Sequence, residues 1–241
     1  MASDERSQFF FPPWSNYLLP VLVIGVLGGA VYVPVLVGFG GSANTLNSGY
    51  QPTQPVDYSH ALHAGVLGID CRYCHTTVEQ ATFAAIPPTQ VCINCHNPSQ
   101  TANGVRKNSP KLAKVHESYA TGKPIEWVKV HDLPDFVYFN HSAHVLSGVG
   151  CATCHGPVDK MDDAGVYQFR SLSMSWCLDC HRNPQENLRP PDQITNMAWL
   201  PPLQQGESLK QAQIRLGEDL SQKTYTIHDR EYMQSCSVCH R

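Results

Sequence analysis

Charge is scarce in this chain and unevenly spread. Asp, Glu, Lys and Arg make up 15% of 241 residues, and neither they nor His occur anywhere from Ser7 to Val56. The formal net charge is −3. No basic stripe of the kind that grips nucleic acid is present, which excludes that partner class. A glycine-rich phosphate loop and a hydrolytic nucleophile–base set are equally absent. No cysteine stands alone either: all ten fall in five Cys-x-x-Cys pairs. Such uniform spacing is not what a disulfide framework needs, so no disulfide is expected. Low charge together with 18 Pro and 17 Gly points to a loop-rich protein, mostly irregular with short α-helices.

What the sequence does contain is a His directly after every cysteine pair. The five units are Cys71/Cys74-His75, Cys92/Cys95-His96, Cys151/Cys154-His155, Cys177/Cys180-His181 and Cys236/Cys239-His240. Cys-x-x-Cys-His is the attachment signature of c-type haem. The two thiols add to the vinyl groups, and the adjoining His supplies one axial nitrogen to iron. Paired Cys-x-x-Cys also builds zinc sites, but zinc needs no His at that position. The expectation is therefore five covalently bound haem c groups.

Four of the motifs form a duplicated unit. YSHALHAGVLGIDCRYCH and PPTQVCINCHNP make the first copy; FNHSAHVLSGVGCATCHG and SLSMSWCLDCHRNP make the second. Each runs His-x-x-His, motif, spacer, motif, Asn-Pro, with spacers of about 16 and 21 residues. An electron-carrying haem has both axial positions filled, whereas a catalytic one keeps a position open. Five irons need five distal ligands, and seven further histidines are present: His60, His63, His116, His131, His141, His144 and His228. That surplus favours low-spin electron transfer. The pairs His60/His63 and His141/His144 come first as distal ligands, because each pair can serve two irons. His131 follows; His116 reads as part of a packing stripe. Met174, three residues before Cys177 where the first copy has Thr89, is expected opposite His181.

Taken in order, residues 1–16 form a cytoplasmic head, and Phe9, Phe10, Phe11, Trp14 and Tyr17 around its junction with the next segment look like an aromatic belt. Residues 17–40 read as a transmembrane helix. The apolar run Leu18 to Phe39 is too long, and its flank too weakly basic, for a cleaved leader. Residues 41–56 are an uncharged linker. Haem module one and a helical connector occupy 57–123, with a helix that starts at Ser109-Pro110, puts Leu112, Val115, His116 and Tyr119 on one face and ends at Gly122. Module two spans 124–184. The C-terminal segment 185–241 opens with a Pro-rich loop, has a helix from Glu207 to Gln222 weakened by Gly217, and carries the fifth motif.

The His-x-x-His/Cys-x-x-Cys-His modules resemble the multihaem class III cytochromes c. The FPPW head, the single span, the five motifs, and the segments PIEWVKVHDLPDFVYFNHSAHV and MSWCLDCHRNP resemble the pentahaem subunit of alternative complex III, a bacterial quinol:electron-acceptor oxidoreductase. That likeness implies an anchored relay that does not itself hold the quinol, with its haem domain on the periplasmic face of the cytoplasmic membrane. It implies as partners an iron–sulfur subunit, quinol-binding integral membrane subunits and a monohaem cytochrome c, with a periplasmic cytochrome c or blue copper protein as acceptor. Small anchored tetrahaem quinol dehydrogenases are similar in topology. They carry Met two residues after a motif His, where this chain has Thr77, Pro98, Pro157 and Asn183. A multihaem reductase of a small nitrogen or sulfur compound is the remaining alternative.

The motif count has a direct check. The intact mass is expected to exceed the 26.7 kDa polypeptide by five haem groups, and alkylation of the unfolded protein should find no free thiol. Four haems, or one reactive thiol, would contradict it.

Overall fold

The computed structural model describes residues 12–40, 46–99 and 104–240. Phe9, Phe10 and Phe11 of the expected aromatic belt lie outside them. The chain divides into two compact units, with the boundary between Leu46 and Asn47.

The first unit is a 3₁₀ turn, Pro13–Tyr17, running into helix α1, Leu18–Gly40. At 1.5 Å per residue, its 23 residues span roughly 35 Å, enough for a hydrocarbon layer. Apolar side chains point outward all round, and none of its residues is buried. By length and composition it suits a membrane span. Pro34 is accommodated inside the helix. Among the described residues this is one helix long and apolar enough to cross a membrane.

The second unit is irregular chain punctuated by short helices. In order these are α2 (Cys71–Cys74), α3 (Thr89–His96), α4 (Ala113–Thr121), α5 (His141–Leu146), α6 (Cys151–His155), α7 (Met174–Arg182), α8 (Leu209–Lys223), α9 (Arg230–Met233) and α10 (Cys236–Cys239). A wide π-helical turn, Ala61–Val66, precedes α2. Among the described residues there is no strand, only isolated bridges at His96–Gly104 and Val149–Leu188. The architecture is that of short helices in irregular chain, as expected from the composition.

Local chemistry accounts for the helix ends. Asp70 caps α2, Asn140 caps α5 and Ser173 caps α7, each accepting a backbone N–H that the first turn leaves unpaired. Ser208 and Gln211 close a reciprocal capping box on α8. Pro110 opens the 3₁₀ turn that leads into α4, and Gly122 ends that helix at φ 71°.

The polypeptide core is small. Val56, Ile93 and Val115 form one buried cluster, with Cys92, Leu112, Ile125 and Trp127 packed against it. Residues 47–56, read as part of a linker, are fastened to this unit. Gly49 N–H donates to the Gln168 carbonyl, Gln168 N–H donates back to Tyr50, and the Gln54 amide bonds both N–H and C=O of Val128.

Gly217 is not a weakness of α8. The helix lies against the Pro184–Glu186 turn so closely that a Cβ at 217 would enter the van der Waals shell of the Gln185 carbonyl. Ala212 and Leu220 bury on the same side, and the Gln213 amide donates to the Leu188 carbonyl at 2.7 Å. Two effects oppose each other in Gly217→Ala. Helix propensity favours Ala by about 1 kcal/mol; overpacking against rigid backbone costs about 1–3 kcal/mol. Net destabilisation and a lower thermal midpoint of the haem-loaded protein are expected. An unchanged or raised midpoint would show that α8 can slide off the turn.

Candidate functional site

Every Cys-x-x-Cys pair sits in a short helical turn, which brings residues i and i+3 to one side. The following histidines are oriented by the backbone. The His75 Nδ1–H donates to the Ala85 carbonyl at 2.9 Å, His96 to Val105 at 2.7 Å, His181 to Met233 at 2.7 Å and His240 to Phe136 at 3.0 Å. A carbonyl only accepts, so Nδ1 carries the proton and Nε2 is left with its lone pair, the form that ligates a metal.

The upstream pairs obey the same rule. The His63 Nδ1–H donates to Ser59 O at 2.8 Å, and the His144 Nδ1–H to Asn140 O at 2.7 Å, each four residues back. The His141 Nδ1–H donates to Thr82 O at 2.9 Å. His116 reverses the pattern: its Nε2–H donates to the His96 carbonyl at 3.0 Å, so it braces a neighbour rather than offering that nitrogen. It lies beside buried Val115. His228 is exposed and lies 4.8 Å from Tyr232.

Ring spacing tests whether these donors fit an iron. A metal at about 2 Å from each of two imidazole nitrogens places the ring centroids roughly 6 Å apart. His63 and His96 are 6.2 Å apart, His144 and His181 6.1 Å, and His141 and His155 6.4 Å. His60 adjoins His75, and burial followed by the neighbouring His75 and His63 holds its pKa down to about 4. His155 is held near 3 by burial, then by His131, His141, His75 and His60. Neutral imidazole is the metal-binding form. Nδ1 of His60, Nε2 of His131 and Oδ1 of Asp159 are buried without a hydrogen-bond partner, so the polypeptide alone does not satisfy the polar atoms of this region. The residues fit haem.

The expectation for Met174 does not match this geometry. The ring facing His181 belongs to His144, and Met174 begins α7 with 68% of its surface exposed. The reason lies in α5. Asn140 caps it and takes the His144 proton on its carbonyl, aiming that imidazole at His181. His131 stands edge-on to His155 at 4.5 Å, closer than two rings sharing an iron.

The motifs approach one another in pairs. Cys74 is within electrostatic reach of Cys95 and Cys92. The Cys71 and Cys151 thiols share a hydrogen bond, which pulls Cys71 down to about 7 and pushes Cys151 up. Cys154 neighbours Cys180 and Cys177, and burial followed by those thiols pushes it up to about 12. Cys177 neighbours Cys239. These approaches link 92/95 to 71/74, 71/74 to 151/154, 151/154 to 177/180 and 177/180 to 236/239.

Two devices the sequence reading missed produce this arrangement. In the Pro-rich loop, Ile194 O accepts from Cys151 N–H at 3.1 Å, while the next residue, Thr195, donates its hydroxyl to Asp70 at 2.8 Å. Asp70 caps the helix of Cys71, so two adjacent loop residues clasp motifs one and three together. The modules also exchange contacts. Ala61 N–H donates to Met161 O, with Gly65 backing onto the Asp159 carbonyl. His141 N–H donates to Thr82 O, and Ser142 N–H to Ala81 O. Each His-x-x-His turn thus docks on the other module's spacer.

No family model matches the chain. A menaquinone reductase multihaem cytochrome c subunit from Nitratidesulfovibrio vulgaris (strain Hildenborough) is 31% identical over 152 residues, covering 55% of this chain and 70% of that protein. Together with the paired-thiol turns and their oriented imidazoles, this likeness shows that the chain belongs to the family of multihaem cytochrome c subunits, electron-transfer proteins with covalently bound haem c.

Proposed function

We propose that the chain is the pentahaem relay of a membrane quinol-oxidising assembly of the alternative complex III type. It binds haem c at Cys71/Cys74, Cys92/Cys95, Cys151/Cys154, Cys177/Cys180 and Cys236/Cys239. His75, His96, His155, His181 and His240 are the proximal ligands. Haem iron supplies a one-electron couple whose potential is tuned by its axial ligands. The single observation that carries the reading is that neighbouring attachment sites approach one another through both modules, held by the Ile194/Thr195 clasp and the reciprocal docking of the His-x-x-His turns. Neighbouring sites of this kind conduct from one to the next; a substrate-reducing enzyme needs a pocket at one site.

His63 faces His96 and His144 faces His181; His60 and His141 serve the irons of motifs one and three, with His131 beside them. The iron of the fifth motif is the one without an assigned imidazole, and Met174, displaced from His181 by His144, is its candidate ligand: it stands three residues before Cys177, whose thiol adjoins Cys239. Helix α1 anchors the chain, with the haem domain on the periplasmic side. Partners on this reading are an iron–sulfur subunit, quinol-binding membrane subunits and a monohaem cytochrome c, delivering to a periplasmic cytochrome c or blue copper protein. The division into modules 57–123 and 124–184 and a segment 185–241 goes with it. The relative's name supports a second reading, in which the same relay runs toward menaquinone.

Native membranes solubilised in mild detergent test both. The haem-stained band is expected well above 26.7 kDa, and menaquinol should reduce the haems in that complex but not in the isolated chain. Reduction of the isolated chain by quinol would point instead to a stand-alone dehydrogenase. Quinone reduction by the complex from a reduced periplasmic donor, without quinol oxidation, would establish the reverse direction. Met174→His should lower one haem potential, because imidazole donates more to ferric iron than a thioether does. A titration unchanged from the parent would remove Met174 from the ligand set.

A further inference from the structure

Two residues outside the ligand set make the same contacts in both modules. Tyr58 stacks on His63 at 4.5 Å and 19°, and meets the edge of His60 at 4.7 Å and 84°. Phe139 stacks on His144 at 4.4 Å and 25°, and meets the edge of His141 at 4.8 Å and 89°. Both stand two residues before the first His of the pair. One aromatic ring therefore holds two imidazoles at once, one by its face and one by its edge, both favoured arrangements for π systems.

We propose that Tyr58 and Phe139 are positioning residues that set the planes of the distal imidazoles of His63 and His144. The hydrogen bond from Nδ1 to the carbonyl of Ser59 or Asn140 fixes one point of each ring. It leaves the ring free to swing about that point. The aromatic face removes the swing. Rotation of His63 away from 19° would drive its edge into Tyr58, and His60 blocks retreat of Tyr58 on its other side. Phe serves in module two where Tyr serves in module one, so the ring face acts and the hydroxyl is dispensable.

The clamps are alike, but the proximal rings meet the clamped imidazoles at different angles in the two modules. His63 and His96 lie at 70°, His144 and His181 at 33°. The plane of an axial imidazole selects which of the two iron dπ orbitals it interacts with. Rings near perpendicular treat the pair alike and leave it nearly degenerate. Rings nearer parallel split it. A ferric low-spin centre of the first kind shows a single large-g paramagnetic resonance signal, and one of the second kind a rhombic spectrum. The aromatic clamps thus hold the distal plane against which each proximal ring is set, and with it the ground state of each site.

This proposal rests on the bis-imidazole ligation proposed above. It is tested by low-temperature paramagnetic resonance of the ferric complex purified from membranes, with haem content measured alongside. The parent should show both signal types. Tyr58→Leu should shift or broaden the large-g signal at unchanged haem content, while Tyr58→Phe should superimpose on the parent. Phe139→Leu should alter a rhombic signal and leave the large-g signal in place. Spectra of both Leu variants superimposable on the parent would overturn the clamp while leaving ligation intact. A Tyr58→Leu protein that fails to assemble leaves Phe139→Leu to decide in module two, where an unchanged spectrum is again the refuting result. A parent with high-spin iron and no large-g signal would instead overturn the ligation, and the clamp with it.

Discussion

The bond from imidazole Nδ1 to a backbone carbonyl is the constraint on which the rest of the second unit depends. It recurs at His63, His75, His96, His141, His144, His181 and His240. Each bond does two things. It fixes the tautomer, leaving Nε2 as a lone-pair donor, and it ties a ring to a particular stretch of chain. Since the acceptors include Ala85, Thr82, Met233 and Phe136, distant from their donors in sequence, the irregular loops are held in place by the ligands they orient. This offsets the small polypeptide core around Val56, Ile93 and Val115, where prosthetic groups would add much of the apolar interior.

Connectivity between sites comes from few contacts. The Ile194/Thr195 clasp joins motifs one and three through a main-chain bond on one side and the Asp70 cap on the other. Reciprocal docking of each His-x-x-His turn on the opposite spacer brings His60, His75, His131, His141 and His155 into one half-buried group. A module taken alone would lack one of its own supports. The modules are consequently repeats in sequence but halves of one site in space.

Several local readings were available from residue order. Ser109-Pro110 before a helix, Gly122 after it, and the apolar run from Leu18 all follow from backbone chemistry acting over a few residues. Gly217 was read by the same local logic as a flaw in α8. Helix propensity treats a residue by itself, and the Gln185 carbonyl that requires glycine there is brought near only by folding. The pairing of Met174 with His181 changed for a similar reason. Position relative to Cys177 singled it out, but the ring opposite His181 is chosen by the Asn140 cap and the turn of α5.

By itself the sequence determined the covalent chemistry: thiols three apart on a helical turn with a His next, repeated, beside a surplus of imidazoles and one apolar span. Those are properties of neighbours along the chain, and spacing alone expresses them. Only the tertiary structure decided which imidazole faces which, which attachment sites adjoin one another, and how Tyr58 and Phe139 set ring planes. Those outcomes depend on carbonyl acceptors and on contacts between distant loops. Every residue carries the same carbonyl, so the choice of acceptor leaves no mark in the side chains.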